Sequence, residues 1–305
     1  MTTTFNTMPP SALRRPSVRH AIIGALAIVL VLATAGCSLI KLGYSQASAL
    51  AYRWIDRYVD FDNEQSLKVR QALDDTLAWH RRTQLPDYVR LLARAENEVG
   101  ADASPERMCA WAGELRSRIE PVLQQLAPTI ADVARTLSPA QLASIEKRFE
   151  ETNEEYRDEH LQRNPERRRK AEVVREVERA ESLYGRLEPT QRDLIAWSVA
   201  TSPYDAELAY AERKQRQQDV LSLVRRLRDA NGRDDAIAQV RAYVSGIDQS
   251  PREGYRRYSE RVTAHRCALA SQLHNSASTA QRSEAAKKLG SYRADARDLM
   301  GDAAS

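Results

Sequence analysis

Apolar side chains that recur every three or four residues, from Tyr44 almost to the C-terminus, confine this chain to packed α-helices. Tyr44, Ala47, Leu50, Ala51, Trp54, Ile55 and Tyr58 fall on one helical face, and Leu142, Ile145, Phe149 and Tyr156 on another. Val173, Val177, Ala180, Tyr184 and Leu187 step by four and three, the seam of a helix lying nearly antiparallel on a partner. Glycine and proline are sparse, Ala, Leu, Glu and Arg are abundant, and no segment carries a convincing strand pair. The fold class is all-α.

One local device marks the helix starts repeatedly. Asp62-Asn63-Glu64-Gln65, Ser138-Pro139-Ala140-Gln141 and Ser278-Thr279-Ala280-Gln281 each set a capping side chain three residues before a glutamine. In such a capping box the first side chain accepts from a free N–H of the opening turn, and the glutamine reaches back to the cap residue's own N–H. Glu188-Pro189-Thr190-Gln191 is a weaker version. Ser104-Pro105 and Ser202-Pro203 put proline at the first helical position, where its missing N–H costs nothing. These signals predict helices over 44–58, 63–82, 84–100, 105–136, 139–163, 166–187, 190–200, 203–230, 233–246, 251–275 and 279–300.

Charge is segregated in the middle of the chain. Glu150, Glu151, Glu154, Glu155, Asp158 and Glu159 precede Arg163, Arg167, Arg168, Arg169 and Lys170, with few apolar residues between. Helices that are polar all round bridge solvent or project from a body. The expectation is a long charged helical arm near 139–187 extending from a multi-helix body within 44–305. Val173, Val177 and Leu187 are expected to cover the stripe of Leu142, Ile145, Phe149 and Tyr156. The stretch from Glu212 to Asp219 also reads as polar on every face. Asn164-Pro165 either caps a fresh helix or kinks a long one.

The N-terminus reads as a secretory signal over 1–36. Arg14, Arg15 and Arg19 supply a positive start, and no acidic residue precedes Cys37. The apolar run Ala21–Ala33 is too short for the roughly 30 Å hydrocarbon core but suits a signal peptide. Ala35-Gly36-Cys37 resembles the lipobox of bacterial lipoproteins, with Thr34 where leucine is usual. That resemblance implies lipid on Cys37, a short tether over 37–43, and anchorage to a membrane. It further implies a periplasm-facing location, with Ser38 rather than Asp favouring the outer membrane. Three of the four excess positive charges belong to the signal, so the basic balance does not point to nucleic acid.

Two cysteines remain, and in an oxidising compartment Cys109 and Cys267 read as one structural disulfide, the alternative being two reduced, buried side chains. So long a loop corresponds to roughly 5 kcal/mol as an upper limit. His80, His160, His265 and His274 show no ligand spacing, so no metal site is expected. There is no GxSxG, P-loop, GxGxxG or HExxH pattern, and neither cofactor nor enzymatic activity is expected. The densest mixture of aromatic and charged residues is Trp54, Asp56, Tyr58 and Asp60, followed by Trp79, Arg81, Arg82 and Tyr88. It reads either as an aromatic cleft with buried ion pairs or as a packing core in which Asp56 or Asp60 pairs with Arg81 or Arg82.

Cys37-Ser38-Leu39-Ile40 with Gly43-Tyr44, then Tyr58 to Asp62, Trp79 to Tyr88 and Leu273-His274-Asn275, resemble an uncharacterised family of proteobacterial lipoproteins defined by a domain of unknown function. The resemblance implies a lipid-anchored helical envelope protein and supplies no activity. Leu137-Ser138-Pro139-Ala140-Gln141, and less closely Leu187 to Gln191, resemble the LTxxQ motif of small helical periplasmic chaperones. The reading is a non-enzymatic structural or interaction module with an unidentified protein partner; the alternative is a chaperone-like binder of unfolded envelope proteins. Metabolic labelling with an alkyne fatty acid is expected to mark the wild type and not Cys37→Ser. Labelling that survives the substitution contradicts the anchor.

Overall fold

A computed structural model describes residues 38–161 and 164–301. The signal, Cys37 and Arg163 lie outside the described residues. Every regular element described is a helix: α1 (Ser38–Ser45), α2 (Ala47–Val59), α3 (Asn63–Thr83), α4 (Leu85–Glu98), α5 (Pro105–Arg116), α6 (Ile119–Thr136) and α7 (Pro139–His160). The second part of the chain continues with α8 (Pro165–Tyr184), α9 (Pro189–Thr201), α10 (Ala206–Arg228), α11 (Arg233–Val244), α12 (Glu253–Asn275) and α13 (Thr279–Gly301). The all-α expectation holds.

The helices fall into two halves with the same connectivity, α2–α7 and α8–α13. In the first, α3 packs on α6 and α2 on α7; in the second, α9 packs on α12 and α8 on α13. The middle helices are exchanged. α4 and α5 leave the first half and pack on α13 and α12, while α10 and α11 leave the second and pack on α7 and α6. Cys109 on α5 and Cys267 on α12 form the expected disulfide, with Cα atoms 5.3 Å apart, so it staples one exchanged helix to its host. At the same offset from its own glutamine, the first half has the fully buried Ala127, beside Ala236 and Val240 of α11.

The four cap-x-x-glutamine starts become two locks. Gln65 and Gln141 exchange side-chain hydrogen bonds, Gln141 Nε2 donating to Gln65 Oε1 at 2.6 Å and Gln65 Nε2 to Gln141 Oε1 at 3.4 Å. Gln191 and Gln281 do the same at 2.9 Å in both directions. Each Oε1 also accepts the N–H of its own cap residue, Asp62, Ser138, Glu188 or Ser278. Each Nε2 also donates to the carbonyl five positions before its partner glutamine: Gln65 to Thr136, Gln141 to Asp60, Gln191 to Ser276 and Gln281 to Arg186. The donors and acceptors of all four buried amides are thereby used. To present its carbonyl, Asp60 turns into the left-handed region at φ 56°.

Several expected boundaries change for identifiable reasons. The helix expected over 105–136 breaks at Ser117 and Arg118. Pro121 lacks the N–H that would bond the Ser117 carbonyl, and its ring collides with that carbonyl. α10 starts at Ala206 rather than 203, because the Asp205 carboxylate caps the N–H groups of Glu207 and Leu208. Asn164 caps a fresh helix, accepting from Glu166 and Arg167. Residues 38–43, expected as a tether, are helical and pack with α1 on α13.

The charged segment also departs from expectation. As far as Tyr156, α7 lies against α2 and α10, with Leu142, Ile145, Thr152 and Asn153 buried. Only the corner from Arg157 to Lys170 is largely exposed among its described residues. The stripe of α7 is not covered by α8. Leu142 and Ile145 join Tyr52, Val69, Leu73, Val133, Leu137 and Leu221, whereas Val177 and Leu187 pack with Ile195 and Leu273. The three described cores are built from residues between Ala51 and Leu273, and Lys41 of α1 pairs with Asp298 of α13, so a chain that starts at Ser38 is expected to fold.

A glutamate serves a capping box as well as a glutamine does, but it cannot donate to the facing amide and carbonyl. Gln65→Glu is therefore expected to cost about 2–3 kcal/mol, as much as Gln65→Ala, in chemical denaturation at pH 7. A near-neutral Gln65→Glu contradicts the lock and leaves only the cap.

Candidate functional site

The equivalent interfaces of the two exchanged helices differ in how closely they pack. α13 presents small residues, Ala285, Gly290 and Ala296, and α4 comes close enough that a Cβ on Gly290 would lie 3.2 Å from Glu96 Oε1. At the same offsets from its glutamine, α7 carries Ile145, Glu150 and Tyr156. With these larger residues in place, α10 sits less closely on α7 than α4 sits on α13. A cleft of about 900 Å³ opens between α2, α3, α6, α7 and α10, with Tyr255 and Ser259 of α12 at one end. Its floor is the apolar core of Val69, Leu73, Val133 and Ile145, and its wall includes Phe149, Ile130 and Val220. Trp54 stands at its edge, 58 % exposed and 5.0 Å from the Tyr58 ring, which meets Phe149 edge-on.

The α10 wall ends in polar groups. Glu212 is buried and accepts from Arg216 Nε at 3.0 Å and from Arg252 at 2.7 and 3.0 Å. Arg252 also reaches Asp219 at 2.9 Å, and Arg216 donates to the Ile247 carbonyl. Burial works to raise the Glu212 pKa, but hydrogen bonds from Arg252, Ser250 and Arg216 outweigh it and hold the carboxyl below the ordinary range. Beside this network, Asn153 Oδ1 accepts from Arg213 Nε at 2.9 Å and from Gln217 at 3.0 Å. The Arg213 guanidinium lies over the Tyr156 ring at 5.3 Å, and Tyr156 stacks on Tyr210 and meets the Tyr204 hydroxyl.

The aromatic and charged cluster expected from sequence divides in two. Trp54 lines the cleft, while Asp56 bonds the Phe61 N–H and Asp60 serves as the α2 cap, so both stabilise the α2–α3 turn. Trp79, Arg81, Arg82 and Tyr88 belong to a separate region, and no ion pair joins Asp56 or Asp60 to Arg81 or Arg82 among the described residues. There Arg81 lies over Tyr44, whose hydroxyl meets His80 Nδ1 at 2.8 Å, and the His80 and Tyr88 rings are 5.6 Å apart. Burial pushes the Tyr44 pKa up to about 12 against the lowering effect of Arg81, and pushes His80 down. His274 bridges Tyr184 and the Ala101 carbonyl, and His265 contacts Ser198, so both act in packing. No group of three or more His, Cys, Asp or Glu among the described residues could hold a metal ion. No described helix is long and apolar enough to cross a membrane.

Residues 57–243 match the model of a family of unknown function, DUF6279, and the chain belongs to that family. The match takes in the Gln65–Gln141 lock and the whole of α10, with Glu212, Arg213 and Asp219, and stops short of Arg252. No curated protein and no solved structure matches the chain.

Because the Glu212 carboxyl is held below its ordinary value, its contribution to stability is full above about pH 4.5 and is lost as pH falls through the depressed value. Glu212→Gln is expected to cost about 3 kcal/mol at pH 7, the low end for breaking a buried pair, since Arg216 and Arg252 remain a third exposed. The gap to wild type should shrink as the pH is lowered below about 4 in denaturant titrations. A pH-independent gap contradicts the assignment.

Proposed function

We propose that this member of the DUF6279 family is a non-enzymatic binding module, tethered to the cell envelope through lipid on Cys37, whose working surface is the apolar cleft. The observation that carries the reading is the cleft itself: about 900 Å³, walled by apolar and aromatic side chains and open beside an exposed tryptophan. Small-molecule sites fall in this size range and combine an apolar lining with a few fixed polar groups. Glu212 is already committed to two arginines, which makes it a poor general base and supports binding over chemistry. The membrane partnership and the periplasm-facing, outer-membrane location rest on the signal, Cys37 and Ser38 in the sequence.

A second reading, a chaperone-like binder of unfolded envelope proteins, is favoured by Phe149 and Tyr156. Both line the open cleft. The chain from Ser38, titrated with the neutral solvatochromic dye Nile red, is expected to show saturable binding with a blue-shifted emission. Phe149→Asp should weaken that binding at least tenfold in protein that still melts cooperatively above the assay temperature, Phe149 being partly buried against the core. Absence of saturable binding, or equal binding by the variant, contradicts the cleft as the working surface. Stoichiometric suppression of the aggregation of an unfolding client, lost in Phe149→Asp, selects the chaperone reading.

A further inference from the structure

We infer that the cleft takes a long-chain fatty carboxylate, its chain along the apolar floor and its head on the Arg213 guanidinium. The inference deepens the binding reading above and rests on it. Charge at the polar end is unbalanced in one direction. Glu212 and Asp219 are taken up by Arg216 and Arg252, with Arg252 bound to both acids through Nε and Nη2. Arg213 is the cation left over: it lines the cleft, and no carboxylate among the described residues lies within ion-pair reach of it.

Arg213 is also held in place. Its Nε donates to Asn153 Oδ1, and Asn153 is itself buried and fixed by reciprocal hydrogen bonds with Gln217 at 2.7 and 3.0 Å. The guanidinium lies over Tyr156, and neither Nη group has a hydrogen-bond partner among the described residues. An oriented guanidinium with two free Nη groups matches the oxygens of a carboxylate. At an apolar margin such an ion pair is desolvated and therefore selective for charge.

The shape of the cleft limits the tail. The apolar surface runs from Phe149 and Val220 beside this head site toward Trp54 and Ile130, so head and chain are accommodated in one continuous space. A single chain suits a volume within the range of ordinary small-molecule pockets. One unpaired cation suits a head with one negative charge.

The test uses the chain from Ser38 with bound Nile red, displaced by palmitate, hexadecanol or hexadecyltrimethylammonium below their micelle concentrations, and by phosphatidylglycerol vesicles. Palmitate is expected to displace the dye at a concentration at least tenfold lower than hexadecanol, and the cationic amphiphile to be weakest. Arg213→Gln should lose the preference for palmitate over hexadecanol, the two being compared within the variant. Arg213→Lys should keep most of it, and Arg213→Glu should reverse it toward the cation. Equal displacement by palmitate and hexadecanol, a preference that survives Arg213→Gln, or stronger displacement by the two-chain lipid each overturns the inference. If Nile red binds and no head preference exists, only this inference fails. If Nile red itself does not bind, the binding reading fails with it.

Discussion

A buried glutamine side chain is acceptable only if both its oxygen and its nitrogen are used, and here that requirement ties distant helices together. Each of the four glutamines makes one side-chain hydrogen bond locally, from the cap of its own helix, and the rest across an interface, with its partner glutamine and a carbonyl beside it. The carbonyls that complete the sets belong to the turns between α2 and α3, α6 and α7, α8 and α9, and α12 and α13. One amide pair therefore fixes two helix starts and two turns at once. With the hairpins docked in this way, α4–α5 and α10–α11 have hosts only in the opposite half, and the exchange follows.

The cleft arises from a difference between the halves. Ala285, Gly290 and Ala296 let α4 seat closely on α13, whereas α10 packs more loosely on α7, where Ile145 and Tyr156 line the cleft at the corresponding offsets. A cavity of this size is costly where it is empty, since its lining loses dispersion contacts that a filled core would make. The same lining is a favourable surface for an apolar guest. Beside it, Glu212, Arg216 and Arg252 form a hydrogen-bonded polar wall that ties α10 to the segment from Ile247 to Arg252.

Local features were legible in the sequence and pairwise ones were not. The capping boxes, the Asn164 cap and the helical faces depend on residues within a few positions of each other. The disulfide was legible from compartment and number alone. What each glutamine meets lies 76 or 90 residues away, and no spacing announces it. The choice of glutamine over glutamate in all four boxes was the available signal, because capping alone does not discriminate between them. The polar run from Glu212 to Asp219 reads as a solvated face when taken by itself. Placed on a wheel, Glu212, Arg213 and Arg216 share a face with Ala209, Val220 and Val224, which is the pattern of polar groups set into an apolar surface. The expected pairing of Asp56 or Asp60 with Arg81 or Arg82 failed because both acids are consumed by the turn between α2 and α3.

The two equivalent interfaces differ, α4 packing closely on α13 and α10 loosely on α7. Amide hydrogen exchange measured residue by residue tests this most directly, since it reads the opening free energy of each helix in the same molecule. Amides of α4 between residues 86 and 98 should exchange only through large openings, and those of α10 between 207 and 220 should exchange markedly faster. Equal protection of the two segments in the ligand-free protein would contradict the account, because it would mean that α10 packs on α7 as tightly as α4 packs on α13.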